Sequence, residues 1–372
     1  MAKKKKNSGK AAPAQVTPQS ARTPSPAPKT TPATAAPTRN RWPMLLVAVL
    51  GPLLLLGAGA VWLLSRPSAP AAPALAATAA VFSGRVGSVD GCRIQPPFTT
   101  KLGFSRSTML STAERTLKGL VLVEPAQDNS AAPRTYQDPS WTLAGYLGPN
   151  TFDARGNLYV APSPRVSLNE NPPERQNTIY KVDGETGKMT AWITLPVAAP
   201  ITLNNPYGVM GLAYDCETDS VYATSVAGST RSEMLGRVFQ INATRGEIVS
   251  QLDNLDGMGV SVFNTSQGKR LFAGSARTQD VLSVALTPQG QFAGAPQVEF
   301  SLEGLGPDGN DKARKIAFDK ANTMLVNGTK FNYNLAPPAA QIRPMTYRFR
   351  YDAGTGRWTF VDVSAGTGSL GN

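Results

Sequence analysis

Residues 152–196 read FDARGNLYVAPSPR, then a loop, then NTIYKVDGETGKMTAWITLP. Two pairs of short runs, rich in aromatic and β-branched residues, flank the Gly-bearing turns DARGN (153–157) and DGETGK (183–188). Runs of five or six such residues joined by tight glycine turns are antiparallel hairpins. The same unit returns as GLAYDCETDSVYATSVAGSTR with GRVFQINATRGEIVSQL (211–252), and as VSVFNTSQGKRLFAGSARTQDVLSVALTPQGQFAGAPQVEF (260–300). It returns again as KIAFDKANTMLVNGTK with MTYRFRYDAGTGRWTFVDV (315–363), and in a degenerate copy from Thr100. Within the last full unit Tyr347, Phe349 and Tyr351 alternate with Arg348 and Arg350, the period of two that a strand requires. The anchor positions Asp153, Asp215, Asn264 and Asp319 lie 62, 49 and 55 residues apart, about the length of one four-stranded propeller blade. The expected fold is all-β: a β-propeller of five to six four-stranded blades, with residues 81–99 and the C-terminus closing the ring or completing a sixth.

The units resemble blades of NHL/YVTN-type and SMP-30-like β-propellers. The resemblance rests on Pro206, Gly208, Gly211, Ala213 and Asp215, on Leu158 to Ala161, on Ile179 to Asp183, and on Thr186-Gly187. It covers about 100–364 and speaks to fold far more than to function. SMP-30-like lactonases hold a metal at one end of the propeller with carboxylates and Asn. That implies a calcium-type hydrolase as one reading of this chain, although no match for the family's catalytic carboxylate is visible.

Upstream of the repeats the chain changes character. Residues 1–41 are mostly Lys, Pro, Ala, Thr and Ser, a composition that cannot bury enough apolar surface to offset its ordering entropy. Residues 42–64 read WPMLLVAVLGPLLLLGAGAVWLL without a charge. At about 1.5 Å per residue they span roughly 34 Å, enough for the hydrocarbon core of a bilayer. The positive flank precedes this run, so the expected topology is a cytoplasmic tail (1–41), one transmembrane helix (42–64), a Pro/Ala linker (65–80) and an extracytoplasmic domain (81–372). That domain would be periplasmic or at the cell surface. A cleaved signal peptide is the rival reading, since AAPALAATAA offers small-residue cleavage sites, but a basic region of this length is unusual for one.

The net charge of +12 belongs mostly to the tail. Residues 1–42 hold nine of the 37 Lys and Arg and no acid, leaving 28 basic against 25 acidic residues. The body therefore gives no signal for nucleic acid. Histidine is absent, which excludes Ser-His-Asp and Cys-His catalysis and HExxH zinc chemistry. The two cysteines, Cys92 and Cys216, can form one disulfide in an oxidising compartment or stay unpaired.

In a propeller the loops joining strands B to C, and D to the next A, share one face. Here those loops are the longer ones: 162–177, 200–208, 304–312 and 327–345. Two constellations fall on the face that these loops share. Arg165, Arg231, Arg277 and Lys330 each follow a strand B, and would ring the mouth as a site for an anionic ligand or as ties between blades. Asn150, Asn205, Asp256, Asp308 and Asp311 precede or begin inner strands, and are the oxygen ligands that a calcium site would use, or else turn-formers. The leading functional expectation is a tethered binding or scaffolding module for an envelope protein, glycan or anionic ligand. The alternative is the metal-dependent lactonase-like hydrolase.

Overall fold

The computed structural model describes residues 84–112, 117–126, 132–307, 309–335 and 344–366, all within the compact unit Thr78–Asn372. The proposed tail, apolar span and linker (1–41, 42–64, 65–80) lie outside them. Among the described residues no helix is long and apolar enough to cross a membrane.

The described chain is an all-β propeller of five consecutive antiparallel sheets. It opens with a two-residue strand, β1 (Gly87–Ser88), and a short helix, α1 (Pro97–Lys101). Blade 1 contains β2 (Met109–Ser111), β3 (Val121–Glu124) and β4 (Arg134–Tyr136). Blade 2 is β5 (Leu147–Phe152), β6 (Leu158–Pro162), β7 (Thr178–Val182) and β8 (Met189–Thr194). Blade 3 is β9 (Val209–Asp215), β10 (Ser220–Ser225), β11 (Arg237–Asn242) and β12 (Glu247–Asp253). Blade 4 is β13 (Gly257–Thr265), β14 (Gly268–Ser275), β15 (Asp280–Ala285) and β16 (Gln297–Ser301). Blade 5 is β17 (Lys312–Phe318), β18 (Thr323–Thr329), β19 (Met345–Asp352) and β20 (Arg357–Ala365).

The anchor residues read from the sequence close the turn after each inner strand. The Asp153 carboxylate accepts the backbone N–H groups of Arg155 and Asn157, Asp215 accepts that of Glu217, and Asp319 accepts those of Ala321 and Thr323. A carboxylate that satisfies the backbone two residues on is the chemistry that makes Asp a turn residue. Asn264 departs from this: its amide donates to Glu217 in the neighbouring blade.

Consecutive blades press together through apolar side chains. Leu158 and Val160 join Leu120, Leu122 and Trp141 between blades 1 and 2, while Tyr159 and Ala161 from the same strand meet Leu212, Tyr214 and Val221 of blade 3. Tyr222 and Val238 meet Val260, Val262 and Leu271 between blades 3 and 4. Phe263 and Phe272 meet Ile316, Met324, Val326 and Tyr347 between blades 4 and 5. A strand buried on both faces reads as a continuous apolar run, which is why LYVA shows no alternation. At the contact of blades 4 and 5 a Cβ on Gly259 would lie 2.7 Å from the Arg314 carbonyl oxygen, and one on Gly274 would lie 1.9 Å from that of Ala313, so only glycine permits this approach.

No sixth sheet forms among the described residues. The segment expected to close the ring instead straps the face that carries the A–B turns. Strand β1 pairs antiparallel with the end of β13, Gly87 opposite Asn264 and Ser88 opposite Phe263. The strap then passes the A–B turn of blade 3, where the Val89 carbonyl accepts the Cys216 N–H and Cys92 is disulfide-bonded to Cys216. It reaches blade 2 through the Phe98 N–H to the Gly184 carbonyl, and Trp141 Nε1 donates to the Gly187 carbonyl beneath it at 2.7 Å. A buried ion pair lies beside the disulfide: Lys269 Nζ sits 2.8 Å from Asp215 and 2.7 Å from Glu217.

The disulfide spans a sequence separation of 124, so its loss frees a long loop in the unfolded chain. Replacing both Cys92 and Cys216 by Ser is expected to lower the unfolding free energy by about 2–5 kcal/mol, read as a lower urea midpoint. An unchanged midpoint would mean that the strap holds without the bond.

Candidate functional site

The B–C and D–A loops of blades 2 to 5 gather on the face opposite the strap, and their contacts show how this face is built. Asp256, between blades 3 and 4, is almost fully buried. Its Oδ1 accepts the Ser229 hydroxyl at 2.5 Å and the Gly236 N–H at 2.9 Å. Its Oδ2 accepts Arg277 Nε at 2.7 Å and the Tyr333 hydroxyl at 2.5 Å. Burial, and then the hydrogen bond to Asp256, pushes the Tyr333 phenol well above its ordinary range. One carboxylate thus ties loops of blades 3, 4 and 5 together.

Arg277 completes the tie. Its guanidinium donates to the carbonyls of Thr230, Arg231 and Glu233. Of the four basic residues expected to ring the mouth, Arg277 is therefore committed to joining blades. Arg231 is exposed and donates to Asn332 at 2.8 Å, and Arg165 is exposed and reaches the Tyr207 hydroxyl at 3.4 Å. Lys330 is half-buried at the start of the blade 5 loop. The ring is thus an unequal set: one inter-blade tie, two exposed guanidinium groups and one flanking lysine.

The mouth itself is filled. Phe331, Tyr333 and Leu335 of the blade 5 loop pack on Tyr207, Met210, Val226, Met258 and Ala276. The rings of Tyr207 and Phe331 lie 5.1 Å apart, and those of Phe331 and Tyr333 5.3 Å apart. The sequence FNYNL (331–335) falls within the long loop 327–345. Its alternating aromatic pattern was the available signal that this loop packs inward.

Several of the oxygen ligands expected for calcium are spent on the protein's own groups. Asn150 lies within β5 opposite Val160 rather than in a loop. Asn205 spends its amide on the carbonyls of Val226 and Ser229, and its oxygen on the Tyr207 N–H. Asp311 is buried and accepts the Tyr347 hydroxyl at 2.9 Å. Asp308 lies outside the described residues. Among the described residues no three acidic or thiolate side chains cluster as metal ligands. With four protein donors on Asp256, one of them a guanidinium, the set does not fit a hard cation that needs six to eight free oxygens.

Breaking a buried pair strands its partner. Asp256→Ala should therefore cost about 3 kcal/mol or more in denaturant unfolding, since it orphans Arg277, Tyr333, Ser229 and the Gly236 N–H together. A chelator should leave the melting temperature of the unmutated chain unchanged. A neutral Asp256→Ala, or a chelator-sensitive melt, would overturn this account of the mouth.

No family model matches the chain, and no curated protein matches it. Among solved structures it is similar to the β-propeller domain of Cps50 (Swd1) from Myceliophteria thermophila, at 13% identity over 71% of this chain and 72% of that one, with a TM-score of 0.38. It is similar to a protein from Lactobacillus plantarum, at 13% identity over 69% and 66%, with a TM-score of 0.42. It is also similar to a luciferin-regenerating enzyme, at 12% identity over 66% and 74%, with a TM-score of 0.40.

Proposed function

We propose that this protein is a membrane-anchored, extracytoplasmic propeller that binds a partner protein of the cell envelope through its B–C/D–A loop face. The observation that carries the reading is the uneven use of its two faces. The A–B face is crossed by the strap from Gly87 to Phe98. The opposite face presents Leu143, Val166, Val197, Leu203 and Met234 to solvent, all on B–C or D–A loops, with Leu203 68% exposed. Arg165 and Arg231 stand exposed among the same loops. Scattered exposed aliphatic residues are ordinary. Five on the loops of one face, with exposed arginines beside them, have the composition of a protein-binding surface for an acidic, partly apolar partner.

The disulfide supports an oxidising compartment for this domain, as the extracytoplasmic assignment requires. The uncharged run at 42–64 and the all-positive segment before it support a single-pass anchor with a cytoplasmic N-terminus. The blade-level resemblance to NHL/YVTN-type propellers supports a binding role, and that to SMP-30-like lactonases supports the hydrolase alternative. The engaged oxygens of Asp256, Asn205 and Asp311 weigh against that alternative.

The test uses the full chain in its native membrane, with a photo-crosslinking residue at Leu203 on the loop face or at Val298 on an outer strand. A discrete adduct is expected from position 203 and none from 298, and Arg165→Glu should weaken it several-fold. Equal labelling from both positions would defeat the reading. So would release of the chain by alkaline carbonate, because the module would then have no anchor.

A further inference from the structure

The four blade contacts described above are apolar. Among the described residues no such cluster joins blade 5 to blade 1. The reason lies in the face of blade 5 turned away from blade 4. Met324, Val326, Tyr347 and Phe349 pack toward blade 4. The alternate positions carry polar groups in register: Lys315 beside Asn327, Asn327 beside Thr346, Thr346 beside Ser364, and Arg348 beside Asp362.

The inner strand of this blade is exceptional in its charge. The other inner strands, β5, β9 and β13, hold one charged residue between them, Asp215, which is paired with Lys269. Strand β17 holds Lys312, Arg314 and Lys315 and no acid. Its register slips between Ala313 and Lys315, as the other inner strands slip at the matching place: between Leu147 and Asn150 in β5, between Val209 and Gly211 in β9, and between Gly257 and Val260 in β13. Ala313 and Ile316 are buried and both face blade 4, so this bulge turns two consecutive residues, Arg314 and Lys315, to the other side, where both are exposed. Bulges re-aim side chains, and of these four only the bulge of β17 carries a cation. Counted back five positions from the turn anchors Asp153, Asp215 and Asn264, strands β5, β9 and β13 place Gly148, Met210 and Gly259; counted back five from Asp319, β17 places Arg314. The other three blades carry an uncharged residue there, and this blade supplies a guanidinium.

Lys315 has no hydrogen-bonding or ion-pairing partner among the described residues. The residue is exposed, yet desolvation, and then the positive charges of Arg93 and Arg314, lowers its pKa. Arg93 belongs to the strap and also pairs with Asp90. Lys312, the remaining cation of the strand, donates to the Arg277 carbonyl at the loop face.

We propose that Arg314 and Lys315, with Arg93 of the strap beside them, form an oxyanion site at the inner edge of blade 5, for a phosphate or carboxylate group. An ammonium with no ion-pairing partner among the described residues is open to a counter-charge, and guanidinium groups beside an ammonium are the donors that oxyanions select. The site stands apart from the loop face and does not depend on the partner proposed there.

The experiment titrates the full chain, in detergent, with inorganic phosphate in one arm and citrate in the other, at constant ionic strength set by chloride. Calorimetry and melting temperature are the readouts. Saturable binding near one per chain is expected, with a rise in melting temperature that chloride does not produce. The preferred arm identifies the group as phosphate or carboxylate. Lys315→Met should weaken binding at least tenfold while melting no lower than the unmutated chain in anion-free buffer. Lys315→Arg should retain binding within about threefold, and Arg165→Gln, on the loop face, should bind as the unmutated chain does. No saturable binding in either arm, or unchanged affinity in Lys315→Met, would overturn the proposal.

Discussion

A sheet of three or four short strands cannot stand alone in water; each blade has to bury its faces against its neighbours. That constraint organises this molecule. It makes the middle strands apolar on both sides, so that Leu158 and Val160 serve one contact while Tyr159 and Ala161 serve the next. It demands glycine where neighbouring blades touch, as at Gly259 and Gly274. It also makes blade 5 informative, because there one face meets the rule and the other is polar and basic.

The two ends of the propeller are finished by different chemistry. On the A–B face a covalent bond and main-chain pairing hold the strap: Cys92 to Cys216, Gly87–Ser88 to β13, and Phe98 to Gly184. On the loop face a single buried carboxylate does comparable work. Asp256 holds Arg277, Tyr333, Ser229 and Gly236. Burying a charge is costly unless it is paired and hydrogen-bonded, and both oxygens of Asp256 meet that requirement. The aromatic plug of Phe331 and Tyr333 then sits over a fixed base. The loop face thus has a rigid centre, with its exposed aliphatic and arginine side chains spread over the surrounding loops.

Propellers present this kind of surface to many unrelated ligands, so the fold alone carries little about function. The particular features carry more. Exposed Leu203 and Val166, beside Arg165, are what a protein partner would use. The cations of β17 belong to a different place and a different chemistry: the bulge lays its backbone against Gly259 of blade 4 and turns the Arg314 and Lys315 side chains the other way.

The sequence alone determined the blades and their order. Period-two runs, Gly-bearing turns and the Asp anchors are local devices, each acting within a few residues, so Asp153, Asp215 and Asp319 could be read as turn anchors without coordinates. The pairing of Cys92 with Cys216 stayed open there, because it depends on where a strap crosses a distant blade. The sets of basic residues and oxygen ligands were legible as residues but not as sites. Whether Arg277 meets an anion or Asp256, and whether Asn205 faces a cation or two backbone carbonyls, is decided by loops from three blades that meet only in the folded chain. The alternation YRFRY at 347–351 was in plain view as a strand signal. Only the tertiary structure showed that its arginines line a polar blade face, because a face is defined by the sheet beside it and by nothing within the strand itself.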